Sequence, residues 1–239
     1  QIILERNALP FITGTICPHT CADRCMRNHY EEGVHIREVK LQAAEKAFAP
    51  LMESISENGP SDAVRGSREK KEKVAIVGGG PAGLAAASFL SRAGADVTVF
   101  EKRDTVGGVV RHAIPGFRIS QEAIDRDVEL CGRYGAKICT GHEVKSLKDL
   151  SRDGFSRIIV AVGAWAPGRK ALEYGEAMDA LDFLTKIKEN QDSVKTGENV
   201  IVIGGGNTAM DVARAAIRLP GVRKVSLVYR RTRRYMPAD

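Results

Sequence analysis

The sequence predicts an α/β protein: two strand–glycine turn–helix units of the doubly wound kind, the second one partial, preceded by a mainly helical segment. Three observations predict it. From Val74 onward, short runs rich in Val and Ile alternate with Ala-rich or amphipathic helical stretches, the pattern of parallel strands joined by crossover helices. The chain also repeats itself, with "VAIVGGGPAGLAAASFL" at 74–90 and "VIVIGGGNTAMDVARAA" at 200–216. Finally, the first 57 residues have a different texture, irregular and then helical, and hold three of the five cysteines.

Taken in order, residues 1–35 are irregular. Residues 36–56 carry an approximate apolar stripe at helical spacing (Ile36, Val39, Ala43, Phe48, Leu51, Ile55), with Pro50 expected to kink or end its first part. The stretch 57–73 is polar, with Gly, Pro and Ser followed by charges, and reads as a linker. "KVAIVGGG" is a strand, 81–94 a helix ended by Gly94, and "DVTVFEKR" a second strand. A helix is expected at 119–136, a strand at "KICTGHEV" and a fully buried strand at "FSRIIVAVGA". A connecting helix at 177–189 leads into the second copy, which ends in "KVSLVYRR".

The repeat is detailed. Gly78 to Gly204 and Gly80 to Gly206 are each 126 residues apart, and Glu101 to Tyr229 is 128. The two extra residues fall near "LPG" at 219–221, where a loop insertion is expected. That regularity argues for a second unit rather than one more strand of the first.

The 239 residues suffice to bury a sizeable core, and neither a membrane-spanning apolar run nor a basic-then-apolar leader pattern is visible. The expectation is a cytoplasmic protein with no membrane partner. Because the first residue is Gln1, the chain is expected to be a piece of something longer. The net charge of +6 is largely local, since Arg230, Arg231, Arg233 and Arg234 supply four of those charges. A nucleic-acid partner is therefore not expected, and no aromatics interleave with a basic groove-like segment.

The first turn, Gly78-Gly79-Gly80-Pro81-Ala82-Gly83, fits G-x-G-x-x-G between strand and helix. Gly78 permits the tight turn, Gly80 lets the backbone approach a pyrophosphate, and Gly83 allows close helix–strand packing, with the helix N-terminus facing the anion. Glu101 closes the next strand 18 residues after Gly83, where a carboxylate accepts hydrogen bonds from ribose hydroxyls and repels a 2′-phosphate. The second turn, Gly204-Gly205-Gly206-Asn207-Thr208-Ala209, has Ala in the third place, and its next strand ends in Tyr229-Arg230-Arg231. Exchanging an acid for arginines is what a 2′-phosphate calls for, because guanidinium groups bind phosphate oxygens bidentately. The pair reads as one turn for a flavin dinucleotide and one for NADPH.

"EKRDTVGGVVRHAIPGFR", "GGGNTAMD" and "VYRR" together with the glycine turns closely resemble the NADPH-dependent glutamate synthase small-subunit family, which includes the flavin end of dihydropyrimidine dehydrogenase. The N-terminal "LPFITGTICPHTCADRCMRNHYEEGVHIREVKLQAAEKA" is most similar to a branch named for selenate reduction. The resemblance implies a helical iron–sulfur domain, a Rossmann-like FAD domain and an inserted NADPH domain. In this chain those become 1–57, a linker 58–72, an FAD-binding part at 73–170 without its closing segment, a connection 171–198, and the start of the NADPH-binding part at 199–239. It places FAD on Gly78, Gly80, Pro81, Ala82, Gly83, Glu101, Lys102, Gly108, Val109 and Arg118. NADPH falls on Gly204, Gly206, Asn207 and Thr208, with Arg230, Arg231 and Arg234 around the 2′-phosphate.

Cys17, Cys21 and Cys25 match one cysteine group of the family's [4Fe-4S] domain. A cubane takes four ligands and the family's other group has no counterpart here, so the cluster is expected to be incomplete. Read without the resemblance, the spacing leaves zinc open beside iron–sulfur, because His19 and His29 lie within and just beyond the group. The matching alternative is a non-catalytic nucleotide-binding or interaction module. Cys131 and Cys139 read as core residues, and His112 and His142 as structural ones. The activity implied is hydride transfer from NADPH to FAD, then electrons onward through iron–sulfur clusters to a partner domain or subunit; no nucleophile or base is required, and none is assigned. The piece alone is expected to be inactive and to self-associate through an uncovered sheet edge.

Overall fold

The computed structural model describes residues 2–58, 72–166 and 175–238. Most of the expected linker at 58–72 lies outside the described residues, as do residues 167–174, which straddle the expected 73–170 and 171–198 parts. Two compact units emerge: one runs to residue 163 without His112–Phe117, and the other joins those six residues to the remainder.

The first unit begins with helices α1 (Ile2–Arg6), α2 (Pro10–Ile16), α3 (Thr20–Asp23) and α4 (Ile36–Asn58). Then follow β1 (Lys73–Val77), α5 (Pro81–Arg92), β2 (Asp96–Phe100), α6 (Gly108–His112), α7 (Gln121–Arg133), β3 (Lys137–Cys139), α8 (Leu147–Arg152) and β4 (Arg157–Val160). The four strands form one parallel sheet in the order β3-β2-β1-β4. β1 is the near-continuous apolar run because it is flanked by β2 and β4 and buried on both faces. Ile76, Val97 and Val99 of the sheet and Leu84, Ile124 and Leu130 of the helices are fully buried. On the opposite face Ala75 and Val77 pack with Leu150 of α8. Ser120 caps α7, its hydroxyl accepting the Ala123 amide at 3.2 Å.

Three expectations need correction. α4 does not end at Pro50 but continues past it to Asn58. Residues on both sides of the proline, Ala44 before it and Met52 and Ile55 after it, pack into one cluster with Leu4, Phe11, Leu130 and Tyr134, and that burial outweighs the lost hydrogen bond. β4 is not fully buried: it is an edge strand with Arg157 and Val160 exposed. Cys139 ends the opposite edge strand, shortened to three residues, and is exposed, whereas Cys131 is buried as expected.

The helical segment is joined to the sheet unit by a buried carboxyl group. Asp127 of α7 is fully buried, and its two carboxylate oxygens accept the amides of Phe11 (3.2 Å) and Ile12 (2.7 Å) in α2. Burial pushes its pKa from the ordinary 3.8 up to about 7, against the opposing pull of the two amides. Between those values the folded chain holds a proton that the unfolded chain has released, so this group's contribution to stability falls as pH rises. The contribution is complete below the unfolded pKa and is lost once pH passes about 7. Denaturation midpoints measured across this window should decline with pH in the wild type relative to Asp127→Asn, which carries no titrating group there.

The second unit contains α9 (Ala180–Asn190), β5 (Asn199–Ile203), α10 (Asn207–Ala216) and β6 (Lys224–Val228). Asp179 caps α9 through the amides of Leu181 and Asp182. β5 and β6 pair in parallel as a separate two-stranded sheet, so the second glycine turn does not extend the first sheet. Arg218 lies over the Phe117 ring at 4.7 Å, within the same unit. Ile201, Ile203 and Val228 are exposed. Among the described residues, no helix is long and apolar enough to cross a membrane.

Candidate functional site

The first glycine turn is held in place from both sides. The Gly78 amide donates to Phe100 O at 2.8 Å, and Gly78 adopts φ +108°, where a Cβ would lie 2.4 Å from Ala161 O. A Cβ on Gly83 would lie 1.9 Å from Gly78 O, so the helix and the turn meet there as expected. Gly80, at the start of α5, behaves differently. Only Gly108 Cα comes near a Cβ placed there, at 3.7 Å, and no side chain caps the helix. A Cβ on Gly108 would meet Gly80 Cα at 2.8 Å. Two glycines thus face each other at the N-terminus of a twelve-residue helix, a cradle suited to a pyrophosphate.

Gly79 fills an unassigned place in G-x-G-x-x-G, yet the fold constrains it closely. Its Cβ would lie 2.5 Å from Val106 Cγ1 and 3.2 Å from Glu101 Cβ, and its carbonyl accepts the Gly107 amide at 2.7 Å. Glu101 is buried, and its carboxylate accepts the Gly79 amide at 2.7 Å and the Arg103 amide at 2.9 Å. An ionised carboxylate offers about four acceptor positions, so two main-chain bonds leave capacity for ribose hydroxyls. Lys102 is exposed beside it, Pro81 and Ala82 open α5, Val109 lies half-buried in α6, and Arg118 is half-buried.

The second turn repeats this plan with a different closing residue. The Gly204 amide donates to Val228 O at 2.9 Å, and Gly204 has φ +146°. Gly205 takes the place of Gly79: a Cβ there would lie 2.6 Å from the Tyr229 ring, and its carbonyl accepts the Ala238 amide at 3.2 Å. Tyr229 is thus the counterpart of Glu101, packing on the turn by its ring while its hydroxyl donates to Tyr235 O at 3.0 Å. Gly206 precedes α10, and a Cβ there would find only Pro237 at 4.0 Å. Asn207 and Thr208 open the helix. Arg230, Arg231, Arg233 and Arg234 are exposed, and among the described residues none of them makes an ion pair with a carboxylate. Arg231, Thr232 and Tyr235 line an open hollow of about 450 Å³.

Cys17 ends α2, Cys21 lies in α3, and Cys25 precedes a tight turn at Met26–His29. The loop is well braced: the Asn28 amide nitrogen donates to Ala22 O (2.8 Å) and Asp23 O (3.1 Å), and Arg37 donates to Cys17 O at 3.2 Å. Backbone amides of Val34 and then Arg27 at the sulfur hold the Cys25 thiol below its ordinary pKa. Even so, among the described residues no three His, Cys, Asp or Glu side chains converge on a point that could hold a metal ion. Three thiols also leave a cubane cluster one ligand short. On these residues alone the fit is incomplete.

A sequence-family model described as pyridine nucleotide-disulphide oxidoreductase matches residues 72–239. The chain belongs to this family. Membership makes it an oxidoreductase and, as the family's description states, one concerned with a pyridine nucleotide. It is 40% identical to YgfK of Escherichia coli (strain K12), over all of this chain and 23% of YgfK. It is 33% identical to the glutamate synthase [NADPH] small chain of Mycobacterium tuberculosis (strain CDC 1551 / Oshkosh), over 86% of this chain and 44% of that one. The chain therefore spans about a quarter of the length of the first and less than half of the second. A solved complex of 2-naphthoyl-CoA reductase with 2-naphthoyl-CoA shares the fold, with TM-score 0.52 and 24% identity over 66% of this chain and 23% of that one.

Proposed function

We propose that this oxidoreductase chain holds FAD at the first glycine turn and NADPH at the second, and belongs to a protein that passes electrons from NADPH to a partner domain or subunit. The observation that carries the reading is the contrast at equivalent strand ends, Glu101 against Tyr229-Arg230-Arg231. Bound at the first turn, a flavin exchanges the two electrons of a hydride for single electrons. The chain's own residues bind and orient. Gly80 and Gly108 admit the pyrophosphate to the start of α5, with Pro81, Ala82 and Gly83 forming that helix's first turn. Glu101 takes the ribose hydroxyls while bracing the turn, and Lys102, Val109 and Arg118 border the site. In the second unit Gly204, Gly206, Asn207 and Thr208 form the corresponding cradle, and Arg230, Arg231 and Arg234 meet the 2′-phosphate. Cys17, Cys21 and Cys25 are three thiolate donors toward a cluster whose remaining ligand they do not supply, and no step is routed through them.

The test is anaerobic reduction of the intact, flavin-loaded protein. NADPH is expected to bleach the flavin absorbance much faster than NADH at equal concentration. Equal rates with the two nucleotides, or a protein that carries no flavin, would overturn the reading.

A further inference from the structure

Asp127 is a fully buried carboxylate that the proposed chemistry does not use. Its two acceptor contacts are unusual in their reach: they tie α7 to amides 116 and 115 residues earlier in the chain, in the helix that ends at Cys17. An apolar side chain would fill the same space without a desolvation penalty, so packing alone gives no reason for a carboxyl group here. Two amides of the first turn of α2 give that reason, because they have no partner within their own helix. The surroundings extend the same junction. Arg126, next along α7, lies over the rings of Phe11 (5.4 Å) and Phe48 (5.9 Å), which meet edge to face at 5.2 Å. Arg92 of α5 donates to Glu5 O and lies 5.1 Å over the Tyr134 ring. A Cβ at Gly14 would lie 3.0 Å from the Leu41 side chain, so α2 sits close against α4.

We propose that Asp127 is a positioning residue: by accepting the Phe11 and Ile12 amides it sets where α2, and with it Cys17, rests on the flavin-binding unit. The functional part of this statement rests on the assignment of FAD to the first glycine turn. The anchoring itself does not.

Amide hydrogen exchange on the intact protein tests it, with iodoacetamide alkylation of Cys17 and Cys139 read in parallel. In Asp127→Ala, Phe11 and Ile12 are expected to exchange on the order of tenfold to a hundredfold faster, the loss that follows when a buried amide is left unpaired. Leu130, in the last turn of α7, keeps its wild-type rate, and Cys17 becomes more reactive while exposed Cys139 does not change. Asp127→Asn keeps one acceptor and the side chain's shape. It is expected to retain protection at Ile12, the shorter bond, and to lose it at Phe11. This residue-by-residue rescue is the signature of an anchor. Wild-type exchange at both amides in Asp127→Ala would overturn the proposal. So would acceleration of Leu130 to the same degree, which is what a simple core residue would give. The same pattern in a protein found to carry no flavin would uphold the anchor and overturn the FAD assignment instead.

Discussion

Replacing Gly80 with valine is expected to expel the flavin while leaving the fold standing, and replacing Gly83 with alanine is expected to break the fold itself. The difference follows from what each added carbon would meet. At Gly80 the backbone is extended, with φ −76° and ψ −178°, which valine adopts readily, and the nearest atom is 3.7 Å away. The space is open in the protein and lies where a pyrophosphate would approach. Losing one or two charge-assisted amide contacts, at roughly 1.5–3 kcal/mol each, weakens FAD by about tenfold to several hundredfold or more. At Gly83 the methyl group would sit 1.9 Å from the Gly78 carbonyl, a main-chain atom that cannot turn away. The cost should reach about 3 kcal/mol, the upper end for overpacking, or exceed it. Thermal denaturation and flavin absorbance measured on both variants separate the two effects. A Gly80→Val protein that keeps stoichiometric FAD would show that the first turn does not face the cofactor.

A comparable effect is expected when Arg230 and Arg231 are both changed to alanine. Each guanidinium is exposed and, among the described residues, unpaired with any carboxylate, so its removal orphans no buried charge and the fold should be unaffected. What should change is nucleotide choice. Two charge-assisted contacts to a 2′-phosphate, at roughly 1.5–3 kcal/mol each, amount to a preference of about a hundredfold or more. The ratio of kcat/KM for NADPH to that for NADH in the intact protein should fall by that order, with the NADH value itself little altered. Arg233→Ala, a neighbour outside the proposed set, serves as the control for the loss of one positive charge. An unchanged ratio in the double variant would mean that the basic cluster has another role.

Both expectations draw on features that could be read before any coordinates. Glycine turns, strand ends and their 126- and 128-residue offsets are local facts. A G-x-G-x-x-G between an apolar strand and an Ala-rich helix constrains its own backbone, so the sequence by itself determined the fold class, the repeated strand–glycine turn–helix pattern and the contrast between Glu101 and the arginines. What it could not determine were contacts that depend on residues far along the chain. Gly79 and Gly205 look like spacers until Glu101 with Val106, and Tyr229, are packed upon them from 22 to 27 residues away. Pro50 reads as a point where the helix kinks or ends because its missing hydrogen bond is local, while the burial that carries α4 on past it comes from Leu4, Phe11, Leu130 and Tyr134. "FSRIIVAVGA" is apolar enough to be central, yet only the strand order places it at an edge with one side uncovered. Asp127 sits in an ordinary amphipathic helix, and its carboxyl oxygens find their partners only when the fold brings them to Phe11 and Ile12. Backbone conformation is set by near neighbours and was legible; burial and hydrogen-bond partnership are set by whatever the folded chain brings alongside, and only the tertiary structure could decide them.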